Sequence, residues 1–491
     1  MSTEPPPPAT AGPPAGPPTG PQVGADEWVA RQAHRREYLP SWLGGAQRAG
    51  ERIGWWAWLA IAALAAALLP LLGLGGFQLQ VGIDTLVLAL LALGLNVVVG
   101  WTGLLDLGYV AFFGAGAYLF ALLSSNQLGP HGIHLPAYLS LPIVMVGTAL
   151  LGLLVGLPSR RLIGDYLAIV TLFFGEAFVE FTNNVAPSKL GGPDGIIGID
   201  TINAFGHQIT SNEGYFYLLL IVVVLTMAAM RLLENSRTGR GWRAVREDPL
   251  AAASMTVPIV WVKLMAFAVG AAIAGLAGSI FAAQQISVFP TDFDTPYLIL
   301  VYAALILGGA GSIGGAVVGA LVLNVTLDGV LRNPTDAGYV FYGLILVTLL
   351  VKMRPWRKLV AVLAALAAFG FAAHAIAAGI SSAAVDGGPH SGGWIADALR
   401  EWVIVPANAQ TAGNFGYVLL VCALVALVQL KDPWRTILLV PTIYLASFVW
   451  ETRLVTEPAI TRQLMIGVIL IVMMNARPQG LLGARRVEAL T

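Results

Sequence analysis

Long apolar stretches, separated by short polar or Gly/Pro-rich breaks, make up most of the chain after residue 53. Runs such as Trp55 to Leu74, Leu86 to Val99 and Leu218 to Met230 approach the length of about 20 residues that a bilayer-spanning helix needs. Dividing the chain at its breaks predicts fourteen crossings, beginning near residues 54, 83, 103, 137, 163, 214, 262, 297, 314, 338, 357, 413, 434 and 460. The pattern therefore predicts an all-α polytopic membrane protein.

The stretch from 297 to 331 fits this scheme least well, because a glycine-rich run from Gly308 to Gly315 divides two short apolar segments. A hairpin of short or broken helices is the alternative to two full spans. Gly309, Gly311 and Gly314 also match the dinucleotide pattern G-x-G-x-x-G, but the flanking chain lacks the strand and helix alternation that this motif requires. We expect these glycines to allow close packing between helices.

Composition agrees with a protein whose solvent is the bilayer. Hydrophobic residues make up 57% of the chain and charged residues 11%, whereas soluble domains carry about a quarter charged residues. An ordinary soluble enzyme is thereby excluded. Net charge is zero, and no basic patch interleaved with aromatic residues suggests a nucleic-acid partner. The single cysteine, Cys422, lies in an apolar run, so we expect neither a disulfide framework nor a cysteine-based metal site.

The segment before the first apolar run has a different composition. It is rich in proline, glycine and alanine up to Gly24 and polar afterwards, which predicts a disordered cytoplasmic tail over residues 1–52 that is not cleaved as a signal peptide. With the N-terminus inside, 22 of the 27 basic residues fall on the cytoplasmic side, as the positive-inside rule requires. This predicts a multi-pass protein of the inner (plasma) membrane with both termini in the cytoplasm, surrounded by membrane lipid.

The longest charged segment between predicted spans covers residues 235–256. Two parts of it, Trp242 to Glu247 and Leu250 to Met255, consist of good helix formers. The loop can therefore present a short helix parallel to the membrane, with Arg243, Arg246 and Glu247 facing the cytoplasm. Such a helix would be a binding site for a partner protein. A solvated basic loop that only fixes the topology is the alternative.

Four segments resemble, in order and spacing, branched-chain amino-acid permeases of ABC importers of the LivM type. They are Asn96 to Tyr118, Gly164 to Glu176, the run Ser236 to Ala252 with Lys263 to Ala268 and Ala274 to Ala282 after it, and Gly308 to Gly315. The resemblance covers roughly residues 83 to 353 and again the C-terminus. It implies an ABC importer permease core over 53–354, with a cytoplasmic coupling loop at 234–262.

The resemblance also implies a heteromeric importer. Its other members would be a second related permease, two ATP-binding subunits that use ATP, and an extracytoplasmic solute-binding protein. In such an importer the coupling loop would sit in a groove of an ATPase, through Arg240, Arg243, Arg246, Glu247, Asp248, Ala251 and Ala252. The chain contains no Gly-Lys pair and therefore no phosphate-binding loop of the G-x-x-x-x-G-K-[ST] kind. We expect a transport subunit with no catalytic residues, cofactor or metal of its own.

Polar residues inside the predicted span from Gly164 are candidates for a solute path, because polar groups in the bilayer are costly. Asp165, Glu176, Glu180 and Asn183 are spaced by 11, 4 and 3 positions, which places them along one helical face with Thr171 near its side. These groups could meet the ammonium group of an amino acid. The alternative is a set of hydrogen bonds to neighbouring spans, and for Asp165 an anchor at the membrane interface.

A second candidate position is the break between Gly100 and Gly103, which Asn96 and Asp106 flank. A helix end with free backbone groups can face a cavity there, which makes Asn96 a further solute-path candidate. Packing and helix capping are the alternative roles.

The C-terminal part departs from the family pattern. Residues 338–356 and residues 462–482 both resemble the family's usual ending, and about a hundred residues with three further apolar spans separate them. We predict that the transport core ends near Arg354 and that 355–491 forms an accessory transmembrane segment with a family-like C-terminal helix. A duplicated last span would be one origin.

The sequence thus favours the permease subunit of an ABC importer for branched-chain amino acids. A permease for urea or short amides would carry the same motifs. An ion-coupled secondary transporter could use Glu176 and Glu180 as a relay, but it leaves the 235–256 loop without a role. A membrane enzyme acting on lipid is disfavoured, because the chain has no nucleophile elbow of the G-x-S-x-G kind.

Overall fold

The computed structural model describes residues 54–483 except 74, 129–132, 161–164, 186, 205–206, 331, 333, 353–355, 382–384, 388–398, 407, 430–433, 455–460 and several positions between 462 and 478. The predicted tail of residues 1–52 lies outside the described residues and stays a prediction. The chain divides into two units, Met1–Ala65 and Ala66–Thr491. Of the first unit, the structure describes Gly54 and the beginning of helix α1 (Trp55–Leu68).

Helices dominate the described part of the second unit, in agreement with the predicted all-α class. They are α2 (Gly76–Leu95, continued by a π-helical turn Asn96–Trp101), α3 (Tyr109–Leu123), α4 (Ala137–Gly156), α5 (Asp165–Asn184), α6 (Asn212–Glu234), α7 (Arg237–Glu247), α8 (Pro249–Ser254), α9 (Ile259–Gln285), α10 (Thr295–Gly308), α11 (Ile313–Asn324, continued by Val325–Val330), α12 (Pro334–Lys352), α13 (Trp356–Ile380), α14 (Ala409–Gln429) and α15 (Trp434–Val449, continued by Trp450–Leu454), besides single turns such as Pro187–Leu190.

Each predicted crossing meets a helix, and the last of them meets helical residues between Thr461 and Ile471. Among the described residues, 9 helices are long and apolar enough to cross a membrane. The region around 297–331 is a hairpin of short helices, as the alternative predicted. Helix α10 has 14 residues and α11 has 12, and α10 reaches the length of a span only together with the 3-10 turn Pro290–Phe293 before it.

The core is built around α2, α3 and α9, which are joined by small residues. A Cβ on Gly116 of α3 would collide with the backbone of Gly275 of α9, and one on Gly278 would collide with the carbonyl of Phe113. Gly152 of α4 lies equally close to α9. This is the close backbone approach that membrane helices use in place of a hydrophobic driving force. The Ala274 to Ala282 segment is therefore where α9 packs closely against α3.

Short antiparallel strand pairs lie between helices. Ser124–Ser125 (β1) pairs with Ile133–His134 (β2), Ile196–Ile197 (β3) with Ser287–Val288 (β6), and Asn203–Ala204 (β4) with His207–Gln208 (β5). His134 Nδ1 lies 2.5 Å from Asp200 Oδ2. No group of three or more metal-binding side chains occurs in the part of the chain that the structure describes.

Helix α12 contacts the C-terminal region through two neighbouring aromatic side chains. Phe341 of α12 stacks on Trp450 with ring centroids 4.3 Å apart, and the Tyr342 hydroxyl donates to the buried carboxylate of Glu451 at 3.1 Å. The family-like ending also returns to the core. The N–H groups of Leu481 and Leu482 donate to the last carbonyl groups of α10, those of residues 307 and 308, each at 2.9 Å.

Candidate functional site

The predicted coupling loop forms two short helices, α7 and α8, rather than one. Ser236 caps α7 by accepting from the Gly239 N–H at 3.2 Å. Asp248 ends α7 and caps α8 through the N–H groups of Leu250 and Ala251, at 2.8 and 3.1 Å. Pro249 occupies the first position of α8, where its missing N–H costs nothing. The motif S-x-x-G, from Ser236 to Gly239, therefore sets the start of α7. The dipeptide Asp248-Pro249 sets the start of α8.

The structure separates the predicted coupling residues by exposure. Arg240 and Arg243 are exposed, but their guanidinium groups donate to the carbonyls of Asn235 and Glu234 at the end of α6, at 2.8 and 2.9 Å. Basic groups at a helix C-terminus stabilise its free carbonyls. Both arginines therefore fasten the loop to α6. Ala252 is buried, so its side chain is not a surface contact.

The exposed surface at and next to α8 includes Glu247, Asp248 and Ala251 from the prediction and two residues that sequence reasoning missed. Leu250 is 82% exposed and Met255 is 78% exposed. Both sit on or next to α8. Their exposure was not predictable from the helix-forming pattern alone, although two large apolar residues in the most charged loop of the chain were a signal.

The prediction that Arg246 faces the cytoplasm is wrong. Arg246 is half-buried and its Nη1 donates to the carbonyl of Gly100, at the end of α2. The reason is helical register, because Arg246 follows the buried Trp242 by four residues and so shares its inner face. Gly103, with φ at +70°, gives the arginine room, since a Cβ there would lie 3.1 Å from Arg246 Cγ.

Trp242 forms the second link between the loop and the membrane helices. Its indole is fully buried, donates to the carbonyl of Val262 at 2.7 Å, and stacks on Trp101 with centroids 5.7 Å apart. Trp101 in turn donates to the Gly311 carbonyl at 3.2 Å. The loop, the end of α2 and the α10–α11 turn are therefore in continuous contact.

Asn96, a predicted solute-path residue, lies within this junction. It is buried, its Oδ1 accepts from the Gly311 N–H at 2.7 Å, and its Nδ2 donates to the Ser312 carbonyl at 3.3 Å. Gly311 has a φ of +99°, a conformation that favours glycine. Of the two roles that the sequence left open, the hydrogen bonds match packing and capping.

Thr171 also points inwards, away from the acidic face of α5. Its hydroxyl accepts from the Leu107 N–H at 2.9 Å and donates to the Ala168 carbonyl at 3.0 Å. The same connecting segment, residues 102–108, holds Asp106, whose backbone carbonyl accepts from the Tyr302 hydroxyl of α10 at 2.6 Å. Residues 102–108 therefore tie α5 to α10. The Oδ2 atom of Asp106 is buried with no hydrogen-bond partner among the described residues.

Glu176 and Glu180 lie on the opposite, exposed side of α5. Glu176 accepts a 2.5 Å hydrogen bond from Thr295, the first residue of α10. Glu180 accepts from Asn184 at 2.6 Å, within its own helix. Asn183 is half-buried, and the side chain of Asp165 lies outside the described residues. The structure thus brings one of the predicted carboxylates, Glu176, into contact with another helix.

Comparison with known proteins decides the family. The model of the family described as "branched-chain amino acid transport system / permease component" matches residues 78–350. The chain belongs to this family. The matched range runs from α2 into α12, and α13 to α15 lie beyond it; the break near Arg354 stays a prediction. The permease is thus a multi-pass membrane protein and a transport component.

Relatives of the permease include two proteins of one transport system. The permease is 37% identical over 297 residues to the high-affinity branched-chain amino acid transport system permease protein LivM of Escherichia coli (strain K12), covering 56% of this chain and 67% of LivM. It is 26% identical over 281 residues to LivH of the same strain, covering 54% and 88%. A probable LivM of Methanocaldococcus jannaschii is 25% identical over 279 residues, covering 50% and 78%. No solved structure matches the chain.

Proposed function

We propose that this permease is the membrane-spanning subunit of an ABC importer that moves branched-chain amino acids across the inner membrane. Family membership and the names of its relatives support the transport role and the solute class. They do not favour urea or short amides. The anchored two-helix loop α7–α8 is the observation that supports coupling to separate ATPases, and a secondary transporter would have no use for it. Both termini would then lie in the cytoplasm, with the loop.

The partners follow from the same proposal. LivM and LivH of one strain carry the same transport-system name and both match this chain, which supports a pairing of this permease with a second, related permease. Two ATP-binding subunits and an extracytoplasmic solute-binding protein complete the importer. ATP would be used by the ATP-binding subunits.

The contact with an ATPase centres on α8 in this proposal. Leu250 and Met255 are the most exposed large apolar side chains of the loop, with Ala251 between them in sequence and Glu247 and Asp248 beside them. Exposed apolar residues rimmed by polar ones are typical of a protein interface. Arg240 and Arg243 hold α7 to α6, so that force applied at α8 is transmitted to the membrane helices.

The solute path runs along the exposed acidic face of α5. Glu176 lies near the middle of a 20-residue helix, where a charged group facing lipid would cost about 2.5–3.5 kcal/mol. This face therefore has to meet water or protein, and we assign it to the path between the two permeases. Glu180 and Asn183 continue the same face, whereas Asn96 and Thr171 position neighbouring segments.

Leu250→Asp is expected to release the ATPases from the purified complex. A carboxylate cannot enter an apolar groove without a partner, and hot-spot side chains typically contribute about 2 kcal/mol or more. Recovery of ATP-binding subunits with the tagged permease from native membranes measures this. Leu71→Asp is the matched control, because Leu71 is 75% exposed but lies in the turn before α2. Equal recovery with both variants would refute the assignment of α8.

A further inference from the structure

We infer that Arg246 is a positioning residue that fixes α7 to the α10–α11 turn, and that α10 carries the movement of α7 from this junction to Glu176. The inference rests on the proposed function, since it needs an ATPase that moves α7. It adds to the proposed function a route by which movement of α7 reaches Glu176. The junction consists of Arg246, Trp242, Trp101, Asn96 and the turn Gly308–Ser312.

The first step is the contact between α7 and the end of α2. Arg246 reaches over Gly103 to the carbonyl of Gly100, and its Nη1 lies 2.9 Å from where a Cβ on Gly311 would be. The guanidinium therefore fills the gap between the end of α2 and the α10–α11 turn. Trp242 stacked on Trp101 adds a rigid aromatic contact beside it. A displacement of α7 has to displace the end of α2.

The second step joins α2 to the hairpin. Asn96 binds both the N–H of Gly311 and the carbonyl of Ser312, and Trp101 binds the carbonyl of Gly311. A Cβ on Gly100 would lie 2.7 Å from the Gly311 nitrogen, so the two backbones touch. Three side-chain hydrogen bonds and this close approach hold the turn to α2, and the turn follows α2.

The third step is the transmission of this movement along helix α10. Its 14 residues make a rod of about 21 Å at 1.5 Å per residue. One end is the junction, and at the other end Thr295 donates to Glu176. Along the rod, Tyr302 exchanges hydrogen bonds of 2.6 and 3.1 Å with the backbone of Asp106. Helix α10 therefore connects the junction to the acidic face of α5.

The test measures amino acids transported per ATP hydrolysed in proteoliposomes that hold the whole importer. For Arg246→Ala we expect uptake per ATP to fall about tenfold, the scale of a typical coupling free energy, with ATPase recovery unchanged. Arg246→Lys, which keeps one donor for the Gly100 carbonyl, should recover part of the loss. Arg237→Ala is the control, because Arg237 is an exposed arginine on the same helix. Unchanged uptake per ATP in Arg246→Ala would overturn the inference.

A crosslink keeps the inference testable if Arg246→Ala does not assemble. A Cβ on Gly103 would lie 3.8 Å from Arg246 Cβ, the separation found in disulfides, about 3.8 Å. In a Cys422→Ser background, the pair Gly103→Cys with Arg246→Cys should transport with near-normal coupling when oxidised and lose it when reduced, and Gly103→Cys alone is the control for the strain that a φ of +70° imposes on a side chain. Arrested transport in the oxidised form would show that α7 and α2 move separately and would overturn the rigid junction. Absence of ATP-driven uptake in the unmodified importer would instead refute the proposed function.

Discussion

Glu176→Leu is expected to reduce uptake of branched-chain amino acids by about tenfold or more, equivalent to at least about 1.4 kcal/mol in the transport barrier. The change removes the carboxylate from the proposed path and the acceptor for the Thr295 hydroxyl. Glu176→Gln keeps an acceptor oxygen and should lose less. Initial rates of labelled leucine uptake in membrane vesicles, at equal amounts of assembled complex, measure the effect.

The matched control for this prediction is Glu180→Leu. Glu180 lies one turn further along α5, is also exposed, and accepts its hydrogen bond of 2.6 Å from Asn184 of its own helix rather than from another helix. We expect a smaller loss of uptake from this variant. If Glu176→Leu transports as well as the unmodified importer, the acidic face of α5 does not line the path, and the face then serves only to pack against another subunit.

Gly311→Val is expected to prevent assembly of a functional permease. The φ of +99° is a strained conformation for any residue with a Cβ, and a β-branched residue there costs about 1–3 kcal/mol in backbone strain alone. Its side chain would also lie 2.9 Å from Arg246 Nη1. Both effects break the junction between α7, α2 and the hairpin. The yield of monodisperse protein in detergent and its apparent Tm measure the outcome.

Gly314→Val provides the comparison. Gly314 lies three residues later, in the first turn of α11, where a Cβ would meet nothing within 4 Å. We expect a Tm close to that of the unmodified protein. Equal damage from the two variants would mean that the α10–α11 turn tolerates no bulk anywhere, and that the special backbone of Gly311 is not what matters.

The sequence predicts the membrane helices well because one physical requirement dominates them. In the bilayer every backbone hydrogen bond has to be made within a helix, so an apolar run of sufficient length has a single outcome. The predicted starts near 137, 214 and 262 lie within three residues of α4, α6 and α9. The hairpin of α10 and α11 was predictable as an alternative, since Gly308 to Gly315 interrupts the apolar pattern.

Side-chain direction in the loop was harder to predict. Arg246 carries a charge and follows other exposed arginines, so composition places it in the cytoplasm. The structure places it inwards because it shares a helical face with Trp242, and because Gly100 and Gly103, more than 140 positions away, leave a carbonyl and a space for it. Contacts between distant segments are not visible in a single sequence.

The candidate solute path was likewise predictable only in part. The spacing of Glu176 and Glu180 correctly indicates a shared face of α5. It does not indicate that Thr171 lies on the buried side, where it binds the backbone of Leu107, nor that Thr295 of another helix meets Glu176. Periodicity defines the faces of one helix, whereas packing decides which face meets which neighbour.

Energy dependence of uptake tests the central claim most directly. The permease is reconstituted with the second permease, the ATP-binding subunits and the solute-binding protein, and leucine uptake is followed with ion gradients dissipated. The account predicts uptake that requires ATP and every one of these subunits. Uptake by the permease alone, driven by a proton or sodium gradient without ATP, would contradict it.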